Sequence, residues 1–289
     1  MTSQHPLIHR RTLLKVAALA AAGGTVASST GTLPRAYAAR PVLGTVLDYA
    51  AGVPDARAIA AAGHLGAVRY VSGRRPGAEN WMLGKPVTAA ETLAFRSAGL
   101  ATASVYQFGR ADTADWLPGA AGAAAHAPQA IALHAAAGGP AGRPIYVAID
   151  DNPTRGQYEG QVRPYLSAFR TALEVAGLRL GVYGNYNVIE WALTDGLGEF
   201  FWQHDWGSGG RLHHRADLHQ PAKRRAWISG VEVDVNDVYS RDWGQWTAVF
   251  PDPATPAPAE IPEAVAPAPA GTPASPLGQL LSQFTGLSS

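Results

Sequence analysis

The sequence predicts an α/β protein whose core is a (βα)₈ TIM-type barrel with abbreviated last units. Three observations carry that expectation. A strand-like run, a helical stretch and an Ala-Gly stop recur at Ala62-Gly63, Ala98-Gly99, Ala137-Gly138 and Ala176-Gly177. Such repeated βα units imply a parallel sheet with right-handed crossovers. The stretch PIYVAIDDN, from Pro144 to Asn152, is an apolar, β-branched run without polar alternation. It reads as a strand buried on both faces, with carboxylates at its C-terminal end, where barrels place their chemistry. The segment from Pro41 to Phe250 is near the short end of the ~200 to >400 residues of such barrels. An open doubly wound sheet is the alternative.

Residues 1–38 read as an export leader. Arg10-Arg11 precede Thr12-Leu13-Leu14, an apolar stretch runs from Val16 to Val26, and Ala36-Tyr37-Ala38 gives a small-x-small cleavage pattern. The arginine pair followed by leucines points to a twin-arginine-type signal and its export machinery, with a Sec-type leader as the alternative. The apolar stretch is short and Ala/Gly-rich for a membrane span.

The barrel domain is expected over residues 39–250. Val42 to Leu47 forms the first strand and ends at Asp48-Tyr49; Pro54 is placed in the first turn of a helix that Gly63 stops. Ala67 to Ser72 is the second strand. Thr88-Ala-Ala-Glu91 has the spacing of a capping box and opens a helix to Ala98. Ala101 to Phe108 is the third strand, and an Ala-rich helix follows from Ala120 to Ala137. After the central strand, a helix over Gln157 to Ala176 places Val162, Tyr165, Leu166, Phe169, Leu173 and Val175 largely on one side. Arg179 to Tyr183 is the fifth strand, and Asn185 caps a helix through Thr194. Three weaker strands are placed at Glu199 to Gln203, Ala216 to Gln220, and Val231 to Val235.

Residues 251–276 are almost wholly Pro, Ala, Glu and Thr, a composition that makes a linker rather than a core. In residues 277–289, Leu277, Leu280, Leu281 and Phe284 fall at helical spacing. That segment is either a frayed tail or a docking helix for the envelope.

The formal charge of +1 hides an asymmetry, because residues 1–38 hold four basic residues and no acidic one. The remainder is mildly acidic, and its longest basic run is Lys223-Arg224-Arg225, which argues against nucleic acid as a partner. There is no Cys, so disulfides, thiolate metal sites and Cys nucleophiles are excluded. Gly181-Val-Tyr-Gly184 lacks the third glycine of a dinucleotide fingerprint, and no phosphate loop is present, so no cofactor is expected. His204, Asp205, His213, His214, Asp217 and His219 are dense but lack metal-ligand spacing, so no metal is expected. Ser72, Ser104 and Ser229 lack a nucleophile-elbow context.

Asp48, Asp150 and Asp234 each close a candidate strand, with Asp151 and Asp237 nearby. In a barrel they would meet at one mouth. Two carboxylates facing one cleft repel as anions, so one is expected to hold a proton. That pairing is what cleavage of a glycosidic bond needs. Tyr49, Tyr70, Gln107, Asn152, Tyr183, Trp202, Gln203 and Gln220 are expected to bind the substrate, since rings stack on sugar faces and amides bond hydroxyls. Period-two alternation puts Asp150 and Asn152 on one face unless the strand has already ended. The eight Trp residues fit a groove for flat ligands.

LDYAAG, VRYVSG, PIYVAIDDNP, GVYGNY, FWQHDW and EVDVND occur in that order. The pattern resembles the bacterial glycoside-hydrolase-like domain family (domain of unknown function 1906) over residues 41–245. These are barrel domains of exported actinobacterial proteins, distantly similar to the family 25 glycoside hydrolases, the muramidases. The resemblance implies a cell-wall glycan as partner and places Asp48, Asp150 and Asp234 at the barrel mouth. The lysozyme-type pattern on the fourth strand is Asp-x-Glu, whereas this chain reads Asp150-Asp151-Asn152. Either Asp150 or Asp151 then serves as acid, or the site binds glycan without cutting it. An envelope scaffold working through its linker and terminal segment is a third reading.

Overall fold

A computed structural model of the chain describes residues 40–250. The expected leader (residues 1–38), linker (251–276) and terminal segment (277–289) lie outside these residues.

Seven strands follow one another around a barrel: β1 (Gly44–Asp48), β2 (Gly66–Tyr70), β3 (Ala101–Tyr106), β4 (Pro144–Ala148), β5 (Arg179–Gly184), β6 (Phe200–His204) and β7 (Leu218–Gln220). Each pairs in parallel with the next. The ring is closed by β9 (Val231–Val238), which runs antiparallel to both β7 and β1. The barrel predicted from the sequence is present, but its last strand points the other way. The reason is chain length. A parallel eighth strand needs a crossover of a dozen or more residues, usually a helix. The ten residues between Gln220 and Val231 instead hold β8 (Arg225–Ile228), which forms a hairpin with β9 on the rim of the sheet. Ser229 and Gly230 turn that hairpin with φ of 50° and 77°, the pair of positive values that a tight two-residue hairpin requires. No alternating pattern marked Arg225–Ile228 as a strand.

Helices cover the barrel. They are α1 (Ala56–Ala61), α2 (Ala89–Ser97), α3 (Ala120–Ala136), α4 (Arg155–Gln157), α5 (Arg163–Val175) and α6 (Tyr186–Thr194), with a π-helical stretch, Tyr158–Val162, joining α4 to α5. Asp55 rather than Pro54 opens α1, accepting a bond from the Ala58 N–H at 2.9 Å. Thr88 caps α2 as expected, accepting from the Glu91 N–H at 3.2 Å. The Glu91 carboxylate does not complete the box, because it is buried against Arg69 at 2.6 Å. Asn185 caps α6 through the Val188 N–H at 2.9 Å.

Strand alternation divides the apolar residues into two layers. Ile145, Val147 and Ile149 pack outward with Leu166, Phe169 and Leu173 of α5. Val46, Val68, Val105, Tyr146, Ala148 and Trp202 fill the interior. Gly181 on β5 leaves room for Tyr146, since a Cβ there would lie 2.8 Å from its ring. The Tyr146 hydroxyl donates to the Trp243 carbonyl at 2.8 Å, which ties the segment after β9 to the barrel interior. The opposite end is left open for the site.

Candidate active site

The C-terminal ends of β1 to β7, the loops after them and the first half of β9 form one mouth. Inside it lies a recess of about 140 Å³ lined by Asp48, Tyr70, Gln107, Asp150, Tyr183, Trp202, Gln220 and Asp234, among others. A wider groove of about 730 Å³ opens outside. Asp150 and Trp206 line both. A second recess shares Asp48, Tyr70 and Asp234 with the first and adds Tyr49 and Trp81. The three aspartates singled out in the sequence therefore meet in one cavity.

They arrive there by different routes. Asp48 is the last residue of β1, as expected. Asp150 lies two residues beyond β4 and keeps the interior phase of Tyr146 and Ala148. Asp234 does not close a strand: it lies in the first half of β9, in register with Asp48. Because β9 is antiparallel, its early residues are the ones at the mouth.

Asp48 is 3 % exposed. Its Oδ2 accepts from Asn236 Nδ2 at 2.7 Å and from Gln220 Nε2 at 3.2 Å, while its Oδ1 takes no hydrogen bond among the described residues. Burial, and then the Asp234 charge, push its carboxyl up to about 8 despite the Asn236 bond. Both effects favour the protonated form of Asp48. Tyr183 donates to Gln220 Oε1 at 2.6 Å and Trp202 Nε1 to Asn236 Oδ1 at 2.9 Å. Two of the rings expected to bind substrate thus orient the amides that hold Asp48. Asn236 escaped the sequence reading because an isolated Asn in EVDVND carries no chemical signature of its own.

Asp150 accepts from Gln107 Nε2 at 2.9 Å. Burial raises its carboxyl to about 6, against the opposing pull of the Gln107 bond and of Arg110 and Lys85. Lys85 is itself buried, donates from Nζ to the Gln107 carbonyl at 2.9 Å and sits 3.8 Å over the Tyr70 ring. Asp234 is raised by burial while Arg225, at 3.3 Å, pulls it down. Asp151 is half-buried in the outer groove, raised by burial and bonded by Trp116 Nε1 at 3.3 Å.

Three expected ligand contacts are turned to other work. Gln203 follows Trp202 on β6 and so faces the opposite side of the sheet. It is fully buried, donating to the Arg211 carbonyl at 2.6 Å and accepting from the His213 N–H at 2.7 Å, which fixes the loop after β6. Asn152 is exposed, since β4 has ended before it; its Oδ1 accepts from Asn185 Nδ2 at 3.0 Å. The Tyr49 hydroxyl donates to Glu91 at 2.7 Å under the Arg69 guanidinium, which lies 3.8 Å from its ring. Asp237 pairs with Arg224.

The sequence reading did not single out Trp81 or Trp206, although Trp206 ends the FWQHDW motif. Trp81 is 50 % exposed and Trp206 37 %, and both line the outer groove. Trp206 stacks on His204 at 3.9 Å and 14°. The histidine cluster is taken up in pairs, His213 with Glu190 at 2.9 Å and His219 with Asp205 at 2.7 Å. Among the described residues no group of three or more His, Asp or Glu is arranged to hold a metal ion.

A barrel with clustered carboxylates and exposed tryptophans at its mouth defines a glycoside-hydrolase-like α/β barrel. Comparison with known proteins specifies it further: residues 57–238 match the Rv2525c-like, glycoside hydrolase-like domain, and the chain belongs to that family. It is 48 % identical, over 244 residues, to Rv2525c of Mycobacterium tuberculosis, described as a candidate peptidoglycan hydrolase. That match covers 83 % of this chain and 99 % of the relative. Two crystal structures of Rv2525c, described as a Tat-secreted protein, are similar at 51 % identity. The complex with L-tartrate has a TM-score of 0.67 and covers 71 % of this chain and 99 % of the other. For the complex with HEPES the TM-score is 0.66, with 70 % and 98 % covered.

Proposed function

We propose that this protein is exported through the twin-arginine machinery and acts on cell-wall glycan, with peptidoglycan or another polymer of N-acetyl sugars as substrate. The observation that carries the reading is the position of Asp150, which lies between the open groove and the closed recess. A glycan lying along the groove would present a glycosidic oxygen to Asp150, with one sugar edge in the recess. Burial holds the Asp150 proton to about pH 6, a range suited to a general acid.

The second requirement is a group acting on the sugar centre. The protonated form of Asp48 is favoured and Asp234 is its partner across β1 and β9. The pair is placed to orient an acetamido group, which then supplies the nucleophile itself, an accepted route in glycoside hydrolysis. Trp81 and Trp206 offer exposed rings to the sugar faces. The match to a Tat-secreted relative supports export of this chain as well. The terminal residues 277–289 are proposed as a second contact with the envelope.

One observation favours a non-catalytic reading. Residue 152 is an exposed amide held by Asn185, so this position supplies no acid. The two readings separate in one experiment on purified peptidoglycan, measuring reducing-end release beside a pull-down. Release with binding supports the hydrolase; binding without release selects a glycan-binding barrel; neither would leave an envelope scaffold.

A further inference from the structure

The outer groove holds two arginines, Arg75 and Arg110, that make no ion pair with an acidic side chain among the described residues, although Asp112, Asp150 and Asp151 line the same groove. Arg75 lies in the loop between β2 and α2, and Arg110 in the loop between β3 and α3; both line the groove with Trp81 and Trp206. Neighbouring Arg74 is used internally, donating to the Lys85 carbonyl at 3.0 Å and to the Glu79 and Leu83 carbonyls at 3.4 Å. Arg75 and Arg110 have no hydrogen bond or ion pair to their guanidinium groups among the described residues.

Asp150 and Asp151, which line the same groove, take their hydrogen bonds from other groups, and Arg110 acts on Asp150 only through its charge. Asp150 takes its bond from Gln107 and Asp151 takes its bond from Trp116, both uncharged donors. Asp112 is exposed on the short turn Ala111–Thr113. The Arg110 loop is tightly built. Asp115 accepts from the Phe108 and Gly109 N–H groups at 2.7 Å each. The Arg110 carbonyl accepts from the Thr113 N–H at 2.9 Å and from Thr113 Oγ1 at 2.8 Å, and the Arg110 N–H donates to Thr113 Oγ1 at 3.3 Å. Ala111 is held at φ 50°, which is strained for a residue with a Cβ. A rigid loop that presents an unpaired guanidinium to a groove is preorganised for an anion.

Resting on the glycan reading above, we propose that Arg75 and Arg110 form an anion subsite that selects a carboxylate borne by the glycan next to the bond at Asp150. The carboxylate is either the sugar's own acidic substituent or belongs to a peptide attached to it. Guanidinium suits this role because it is always charged and can take a carboxylate in a bidentate fork.

The test measures binding of three probes to the full chain by calorimetry. They are the disaccharide of N-acetylglucosamine and N-acetylmuramic acid, the same disaccharide with its carboxyl reduced to an alcohol, and the disaccharide with its carboxyl in amide linkage to a short acidic peptide. Wild type is expected to prefer one or both charged probes over the neutral one by about tenfold, and the preferred probe identifies the source of the carboxylate. R75Q and R110Q are expected to remove the preference and leave neutral binding unchanged. R110K is expected to retain part of it. Both positions lie on the surface side of the groove, and unchanged melting temperatures would establish that the variants fold. Equal binding of all three probes by wild type would overturn the anion subsite while leaving the glycan reading intact. Failure of all three to bind would overturn both.

Discussion

Asp48 and Asp234 face each other in register across the antiparallel seam between β1 and β9. Two carboxylates in one recess cannot both ionise without mutual repulsion. Burial and that repulsion place the proton on Asp48, and its folded-state pKa rises to about 8 from the ordinary 3.8.

Asp48→Asn is therefore expected to stabilise the protein at high pH. A carboxyl raised in the folded state binds more protons folded than unfolded between pH 4 and 8, so stability falls as pH rises through that window. Asn removes the dependence and still accepts the bonds from Asn236 and Gln220. Thermal unfolding should show little difference at pH 4 and a melting temperature higher by about 2–4 °C or more at pH 8. Equal pH dependence in both proteins would contradict the assignment of the proton.

The pH profile of turnover should carry the signature of Asp150. A general acid works only while protonated, so kcat/KM should be highest below about 6 and decline above it, the value to which burial raises Asp150. A profile flat from pH 5 to 8 would remove Asp150 from the acid role.

Lys85→Met should move that decline to higher pH. The ammonium lies behind Gln107 and favours the Asp150 anion; burial holds Lys85 down to about 7, so it is charged where Asp150 titrates. Loss of the cation favours the protonated acid. An alkaline limb at the wild-type position would show that Lys85 serves Tyr70 and the Gln107 carbonyl alone.

Much of the barrel was legible in the sequence because its first four βα units each end in Ala-Gly. The left-handed glycines at 63, 99, 138 and 177 all occur in the structure with φ between 69° and 81°. The last units were harder to read. The hairpin of β8 and β9 has no helix between its strands, and its turn is Ser229-Gly230 rather than a stronger Asn-Gly signal. Asp48 and Asp150 were legible because a carboxylate ending an apolar run is unusual, whereas Asp234 lies within an alternating strand. Gln203 misled because an amide beside Trp202 resembles a sugar contact, whereas alternation sends it to the other face. Arg75, Arg110 and Trp81 sit on loops with no periodicity to mark them. Glu91 has the spacing of a capping residue, but its pairing with Arg69 joins residues 22 positions apart, beyond the reach of local patterns.

That pair yields a prediction about stability. Arg69 is wholly buried and bonds Glu91, the Tyr49 carbonyl and the Gly84 carbonyl. Glu91→Gln leaves a buried guanidinium without its counter-charge, and urea unfolding should record a loss of about 3–5 kcal/mol. A loss below about 1 kcal/mol would show that the two carbonyls suffice to hold Arg69.

The most direct measurement is reducing-end release from purified peptidoglycan by Asp150→Asn beside wild type, with a pull-down on the same material. Turnover by the variant is expected to fall by about 10²–10⁴-fold with binding retained, because a general acid is lost and the groove is left whole. Turnover by the variant equal to wild type would contradict the acid role of Asp150.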